Sequence, residues 1–153
     1  MNAIRCSLVV LLSLVLVGLG RTQEGKDKKD EKKAVKKAKV LEVGKGIDIS
    51  DKLGDKDGKD TEKNGCYCKV YLVKMVKGKN YQIDMSSSAF DAFLRLEDNK
   101  SKQLAEDDDS GGGDNGLDAQ ILFTPTEDGV FRVIATSFND GETGSFRLKI
   151  QVK

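Results

Sequence analysis

Histidine and tryptophan are absent from this chain of 153 residues, and proline occurs only once. Without histidine, the Ser-His-Asp triad, the Cys-His pair and every histidine-ligated zinc site are excluded. Aromatic residues make up only 6% of the sequence, so stacking against sugar rings would depend on a few Tyr and Phe side chains. These absences remove the best-known hydrolase mechanisms before any motif is considered.

An apolar run lies near the N-terminus, from Ser7 to Leu19, behind the single positive charge of Arg5. The small residues Gly18 and Gly20 follow, in the pattern of a secretory signal with its cleavage site. We predict a signal peptide over residues 1–20 and a secreted product, periplasmic or extracellular. The run is short for a membrane span, which needs about 20 apolar residues, so we expect no transmembrane segment after cleavage.

Charge is balanced overall, at a formal net charge of +1, but it is distributed unevenly. Residues 21–83 contain 18 basic and 11 acidic residues, whereas residues 84–144 contain 4 basic and 14 acidic residues. The basic excess begins with Glu24 to Lys39, which has eight lysines and no aromatic residue. Such a segment cannot bury enough apolar surface to offset the entropy lost on ordering, so we predict a flexible charged linker over residues 21–38.

The lysine-rich segment also allows a second interpretation. Its lysines could form an arm that binds an anionic envelope polymer, which would make the protein an envelope-associated adaptor. We expect no nucleic-acid partner, because acidic residues interrupt the lysines and no aromatic side chain is interleaved for base stacking.

From Lys39 onward, apolar and polar residues alternate with a period of two, which indicates β-strands. The clearest alternation is Phe146 to Val152, and the run Phe90 to Leu96 places its apolar residues on one face. We count about eight short strands separated by turn residues, and no convincing amphipathic helix. This pattern predicts an all-β domain over residues 39–153, an antiparallel β-sandwich or jelly roll.

The segment Asp51 to Gly65 is rich in Asp, Lys and Gly and is predicted to be a loop. Its central residues, Asp55 to Asp60, are similar in composition to an EF-hand calcium loop. However, aligning Gly58 with the invariant turn glycine places Leu53 and Asn64 at ligand positions that require carboxylates. We therefore predict a hydrated loop, which could still lend a carboxylate to a calcium site built differently.

A second acidic segment, Asp107 to Gly116, is the best candidate for a metal site. The carboxylates in and beside this glycine-rich segment are Asp107, Asp108, Asp109, Asp114 and Asp118. Calcium takes about six to eight oxygen ligands from a flexible loop, and adjacent carboxylates repel each other unless a cation screens them. We predict a calcium site here, with calcium as the one expected cofactor. The alternative is a solvated turn, because the spacing matches no fixed ligand pattern.

Two cysteines, Cys66 and Cys68, remain after the predicted signal peptide. In a strand their Cα atoms would lie about 6.6 Å apart, near the upper limit for a disulfide, and their side chains would run parallel. This spacing disfavours an internal disulfide. Free thiols and a disulfide-linked dimer through Cys66 or Cys68 both remain open.

No group of residues in the sequence is recognisable as catalytic. The acidic residues lie among glycines and other acids, not in an apolar cleft that would raise a carboxyl pKa. The serines of Ser86 to Ser88 have no candidate base beside them and are predicted to form a turn. We predict that the protein is not an enzyme. A small carboxylate-dependent hydrolase is the alternative.

Several motifs follow one another in a fixed order between Lys77 and Val152. They are KGKNYQIDM (77–85), SSSAFDAFLRLED (86–98), LAEDDD (104–109), LDAQILFTPTEDGVFRVIATSF (117–138) and GSFRLKIQV (144–152). This ordered set resembles the bacterial pre-peptidase C-terminal domain family. The upstream strands, about residues 39–76, fit the first half of that family more loosely.

The resemblance implies a compact β-sandwich carried by secreted proteins, usually after a peptidase. Some members of the family are binding modules for collagen or glycans and hold calcium in acidic loops. The resemblance therefore implies a binding or stabilising role, with an extracellular protein or a polysaccharide as partner. Two features depart from the family: we expect no peptidase to accompany the domain, and Phe93, Phe131 and Phe146 stand where Tyr is common.

Overall fold

The computed structural model describes residues 39–153, so the predicted signal peptide and linker lie outside the described residues. The strands are β1 (Val40–Glu42), β2 (Ile47–Leu53), β3 (Gly58–Lys59), β4 (Tyr67–Met75), β5 (Tyr81–Ser86), β6 (Ala92–Glu97), β7 (Gln103–Asp107), β8 (Ala119–Phe123), β9 (Gly129–Ser137) and β10 (Gly144–Val152). Over this part of the chain, no helix has the length and apolarity to cross a membrane.

The strands form two sheets that pack against each other. Sheet A has the order β1-β4-β9-β6-β7, with the short β3 beside β4, and sheet B has the order β2-β10-β5-β8. The predicted all-β sandwich is confirmed. Two details differ from the prediction: there are ten strands where about eight were expected, and β1 pairs with β4 in parallel, whereas the other strand pairs are antiparallel.

The core lies between the sheets and consists of the side chains that the alternating pattern places on one face. Sheet A contributes Val73, Met75, Ala92, Leu94, Leu96, Phe131, Val133 and Ala135, and sheet B contributes Tyr81, Ile83, Met85, Ala119, Ile121, Phe146, Leu148 and Ile150. Burying one large apolar side chain contributes roughly 1.5–3 kcal/mol. The alternation ends at Val152, which is 42% exposed at the end of β10.

Part of the outer face of sheet A, around Arg95 of β6, is also covered, which the sequence pattern did not indicate. Residues 54–66, called the strap here, connect β2 to β4 and reach this face through Asp60. The Asp60 carboxylate accepts hydrogen bonds from Arg95 Nε at 3.1 Å and from Arg95 Nη2 at 2.7 Å. Because Asp60 and Arg95 are at most 3% exposed, the prediction of a fully hydrated loop is wrong at Asp60.

The buried charges continue along this face of sheet A. Arg95 Nη1 lies 3.0 Å from a carboxylate oxygen of Glu97, and Arg132 Nε lies 2.9 Å from the other oxygen. Two acids and two arginines therefore alternate, and their charges balance. This arrangement explains why Glu97, a charged residue on a strand, is only 3% exposed.

A cation–π contact places a second residue of the strap on sheet A. Lys63 Nζ lies 3.9 Å from the ring centroid of Phe93 and 4.3 Å from that of Phe138. The two rings are themselves in contact, with centroids 6.2 Å apart. Phe93, which points away from the core, is consequently only 8% exposed.

Replacing Asp60 with Asn tests the strap. We expect D60N to lower the free energy of unfolding by about 3 kcal/mol, because it removes one partner of a buried ion pair and leaves Arg95 undercompensated. Urea denaturation measures this loss. The matched control is D48N, because the Asp48–Arg147 pair is also bidentate but about half exposed on both side chains, and exposed pairs contribute little. Equal losses in the two variants would contradict the role of burial.

Candidate functional site

The acidic loop, residues 107–118, links β7 of sheet A to β8 of sheet B. The amide of Gly111 donates to the carbonyl of Asp118 at 2.8 Å, and the amide of Asp118 donates to the carbonyl of Gly112 at 3.2 Å. A Cβ atom on Gly111 would lie 2.6 Å from the carbonyl oxygen of Asp118, so this approach of the two backbones requires glycine. The acidic loop is therefore a closed hairpin.

The first predicted calcium ligand, Asp107, holds the acidic loop together. Its carboxylate accepts hydrogen bonds from the amide of Ser110 at 3.1 Å and from the amide of Gln120 at 2.7 Å. These bonds tie the beginning of the acidic loop to β8. Asp107 thus acts as a turn-forming carboxylate, a common role for this residue type.

The negative charges of Asp108 and Asp109 affect the pKa of a different carboxylate, that of Asp91. Burial raises the pKa of Asp91, and the negative charges of Asp108, Glu142 and Asp109 raise it further, whereas Lys63 opposes them. One carboxylate oxygen of Asp91 and one of Glu142 are buried with no hydrogen-bond partner within residues 39–153. Negative charge from three loops therefore meets around Asp91.

Asp114 and Asp118 belong to a third neighbourhood. Burial raises the pKa of Asp118; a hydrogen bond from the Ser87 amide opposes this effect, and the charges of Asp114 and Asp84 add to it. The five predicted calcium ligands are therefore distributed among three places. In the described part of the chain, no three Asp, Glu or Cys side chains form a group that could hold a metal ion. Calcium binding stays a prediction.

Asp118 lines an open cavity of about 790 Å³ at the end of sheet B, called the serine groove here. Its hydroxyl groups come from Ser50, Ser86, Ser87, Ser88 and Ser145, and its carboxylates from Asp51, Asp114 and Asp118. Strands β2, β5 and β10 and the acidic loop all contribute to this lining. The side chains present are hydrogen-bonding groups of the kind that fix a polar ligand.

The serine groove contains no activated nucleophile. The hydroxyl of Ser87 donates to the carbonyl of Ser145 at 2.9 Å and accepts from the amide of Ala89 at 3.0 Å, so it serves the backbone. Asp51 accepts a hydrogen bond from the Tyr71 hydroxyl at 2.8 Å and pairs with Lys69 at 3.4 Å. A serine needs an adjacent base to attack a substrate, and the chain has no histidine.

Cys66 and Cys68 are free thiols. Cys66 is fully buried, and its Sγ donates to the carbonyl of Asn139 at 3.4 Å. Cys68 is partly exposed; burial, followed by the charge of Asp60, raises the pKa of its thiol to about 11. A disulfide between two copies of the chain stays a prediction. It would have to use Cys68, because Cys66 is fully buried. Cys68 would react slowly, because the thiolate is the reactive form of a cysteine and its pKa is raised.

The sequence did not reveal the serine groove. Ser50 of β2 and Ser145 of β10 meet Ser86 of β5 because β10 pairs with both of the other strands. In the sequence, Ser50 and Ser145 are merely polar positions on half-buried strands, and Ser86 belongs to a run that was predicted to be a turn. The order of strands in a sheet is not visible in local alternation, so no local signal could have found this site.

These features define the class of protein: an all-β sandwich of two sheets with an acidic hairpin and an open polar groove. Neither a family model nor a curated protein sequence matches the chain. Among solved structures, the pre-peptidase C-terminal domain of a collagenase from Bacillus anthracis is similar, with a TM-score of 0.52 and 17% identity over 75% of this chain and 95% of that chain. The predicted resemblance to the pre-peptidase C-terminal domain is therefore confirmed at the level of the fold.

A second solved structure has the same kind of fold. It is PliG of Aeromonas hydrophila, a periplasmic lysozyme inhibitor of g-type lysozyme. Its TM-score is 0.52, with 11% identity over 76% of this chain and 99% of that chain. At these identities, the two similarities establish the architecture of this chain and nothing finer.

Thermal unfolding tests the predicted calcium site. If the acidic loop holds calcium, added calcium should raise the melting temperature, because a ligand that binds the folded state stabilises it, and a chelator should reverse the rise. D118N should abolish this rise, whereas D55N, which changes an exposed acid outside the acidic loop, should keep it. Superimposable melting curves with and without calcium would reject the site.

Asp91→Asn tests the crowding of negative charge around this residue. At about pH 7 we expect D91N to be more stable than the wild type by about 1 kcal/mol, because it removes a negative charge that burial and the neighbouring carboxylates disfavour. The folded-state pKa of Asp91 is raised, so the wild type gains relative stability as the pH falls through that pKa, and the advantage of D91N should shrink. Urea denaturation at several pH values measures the difference; an advantage independent of pH would contradict this account.

Proposed function

We propose that the protein is a non-catalytic β-sandwich module that binds a ligand outside the cytoplasm. The observation that carries this proposal is the serine groove, an open polar cavity without a nucleophile and base. Its volume of about 790 Å³ lies within the usual range of roughly 300–1,000 Å³ for ligand sites. The groups that line it can orient and hold a ligand, and they offer no evident route to covalent chemistry.

The proposed location of the protein rests on the predicted signal peptide over residues 1–20 and on the resemblance to a family of secreted modules. The similar solved structures are compatible with such a location, since one is a periplasmic inhibitor and the other a collagenase domain. We infer a periplasmic or extracellular location, with an extracellular protein or a polysaccharide as the partner.

Calcium would support this function by stiffening the acidic loop. Asp114 and Asp118 are predicted calcium ligands and also line the serine groove. A cation near them would relieve the repulsion that contributes to the raised pKa of Asp118. Calcium would thereby hold one side of the serine groove in a single conformation.

A carboxylate-dependent hydrolase is the second candidate function, and it depends on Asp118. This residue lies in the serine groove and has a raised pKa, as a general acid requires. Its neighbours Asp114 and Ser88 are exposed, however, so the surroundings are wetter than the apolar pocket that sustains such an acid. If this candidate is correct, a bound polysaccharide will be cleaved, and D118N will abolish cleavage while the protein remains folded.

A third possibility, the envelope adaptor, depends on the lysine-rich segment. Deleting residues 24–39 should then release the protein from envelope fractions at low salt, because binding would rest on screened charge–charge attraction. Unchanged retention would reject this role.

The binding function is tested with immobilised polysaccharides and proteins. We expect the exported protein to be retained by at least one of them without turnover, and Ser88→Trp to reduce retention about tenfold by filling the serine groove. Thr126→Trp is the control, because it adds the same bulk at an exposed turn that does not line the groove. Retention that S88W leaves unchanged would count against the serine groove as the binding site.

A further inference from the structure

The two edge strands of sheet B, β2 and β8, differ in how their free sides are used. On β8, the amide of Gln120 already donates to the carboxylate of Asp107. Strand β2 has seven residues and is the longest edge strand within residues 39–153. It contains no proline, and its pairing with β10 has no bulge. Proline and bulges are two of the features by which proteins protect a sheet edge, so β2 is the more accessible edge.

The hydrogen bonds of β10 show which backbone groups β2 leaves free. The amide of Lys153 donates to the carbonyl of Asn80 at 2.9 Å, in continuation of the β10–β5 register. Because the bonds of an antiparallel strand alternate between its two sides, odd-numbered residues of β10 bond to β5 and even-numbered residues bond to β2. The latter lie opposite the odd-numbered residues of β2. The backbone groups that point to the free edge therefore belong to Asp48, Ser50 and Lys52.

The amide of Lys52 supports this assignment, because it donates to the carboxylate of Asp51 at 2.8 Å and not to β10. Within residues 39–153, no group outside the sheet accepts a hydrogen bond from the amides of Asp48 and Ser50. Both residues are exposed. Free donors two residues apart on a sheet edge are the groups that a peptide uses when it binds by strand addition.

Sheet A is one strand wider than sheet B on this side. Strand β4 lies opposite β2, since the Tyr71 hydroxyl donates to Asp51 at 2.8 Å, and sheet A continues beyond β4 to β1. Leu41 of β1 pairs with the core residue Val73, so it points inward. It is nevertheless only half-buried and does not belong to the core. A strand added to β2 would lie opposite β1 and cover Leu41.

The vacant position beside β2 has room for one strand. A second copy of the chain that paired β2 with β2 about a two-fold axis would bring its own β4 into the place of β1. A collagen triple helix does not fit, since its chains have the polyproline II conformation. Residues 43–46 and 54–57 lead from the two ends of β2 to β1 and β3. They limit the added strand to about the length of residues 48–52, roughly 17 Å.

The charges around this edge favour an acidic peptide. Asp48 is paired with Arg147 at 2.6 and 2.7 Å, and Asp51 is paired with Lys69 at 3.4 Å. The charged residues of 43–57 that form no ion pair within residues 39–153 are Lys45, Lys52, Asp55 and Lys56. Cations are therefore in excess, and acidic side chains complement them.

We propose, on the basis of the binding function above, that β2 binds an extended acidic peptide segment of a partner protein by strand addition. The peptide runs antiparallel to β2, like the other strand pairs of sheet B, and exchanges backbone hydrogen bonds with Asp48 and Ser50. Its inward side chains are apolar and cover Leu41. Its outward side chains are polar or acidic and lie beside Ser50 and Lys52, which also line the serine groove.

Calorimetric titration of the exported protein with the capped synthetic peptide EVSVEVS tests this proposal. We expect it to bind, and hydrogen exchange should slow about tenfold at the amides of Asp48 and Ser50. A control peptide has the same side chains but carries a methyl group on each backbone nitrogen of its Glu and Ser residues, which face β2 in antiparallel pairing. It should bind about tenfold more weakly, as should KVSVKVS, in which lysines replace the acids.

Ser50→Pro tests the edge from the side of the protein. Because the amide of Ser50 points to the free edge, proline removes no bond to β10, and an edge strand tolerates it there. S50P should weaken the binding of EVSVEVS about tenfold. The control is S50A, which loses the hydroxyl but keeps the amide and should bind like the wild type. If melting curves show that S50P does not fold, the methylated peptide decides the question.

Four results would overturn strand addition of an acidic peptide. They are equal binding of EVSVEVS and its methylated form, equal binding of KVSVKVS, wild-type binding by folded S50P, and a dimer in sedimentation that S50P abolishes. The last result would assign the edge to a second copy. If EVSVEVS does not bind but an immobilised polysaccharide or protein is retained and S88W weakens its retention, only this proposal fails. If neither the peptide nor any immobilised partner binds, the binding function fails as well.

Discussion

The C-terminal strand β10 hydrogen-bonds to β2 on one side and to β5 on the other. Its inward side chains, Phe146, Leu148 and Ile150, fill the centre of the core. Because β10 lies between β2 and β5, the outward residues of the three strands form one polar face. One strand therefore supplies both the apolar contact that holds sheet B on sheet A and the frame of the serine groove, because alternate side chains of a strand point to opposite faces.

The outer face of sheet A is organised by buried ion pairs and not by apolar contacts. A sheet face outside the core is usually left to solvent, yet here the strap covers part of it through Asp60 and the buried arginine Arg95. Buried ion pairs add little net stability, because desolvation offsets their attraction, but breaking one is costly. The strap is therefore held in one place by the penalty for leaving a buried charge unpaired.

Negative charge concentrates at the acidic loop and the loops beside Asp91. The structure does not gather these acids into one cluster, because Asp107 holds the hairpin, Asp108 and Asp109 act on Asp91, and Asp114 lies near Asp118. The same residues that the sequence suggests as one site therefore have three different surroundings. Proximity along a glycine-rich loop is a poor guide to proximity in space, since each glycine allows the chain to reverse direction.

Local patterns in the sequence were sufficient for the class of fold. The alternation from Phe90 to Leu96 correctly identified one buried face, and the Gly and Asp residues of 107–116 correctly marked a loop between strands. The same alternation missed the burial of Arg95 and Glu97 on the opposite face, because the strap that covers them comes from a distant part of the chain.

The sequence by itself therefore determined the strands, their buried faces and the acidic turns, since each depends on residues close together along the chain. Only the tertiary structure decided the strand order, the cover over sheet A and the meeting of Ser50, Ser86 and Ser145 in one groove. The physical reason is that side-chain alternation records which face of a strand is apolar, whereas pairing between distant strands depends on how both sheets pack together.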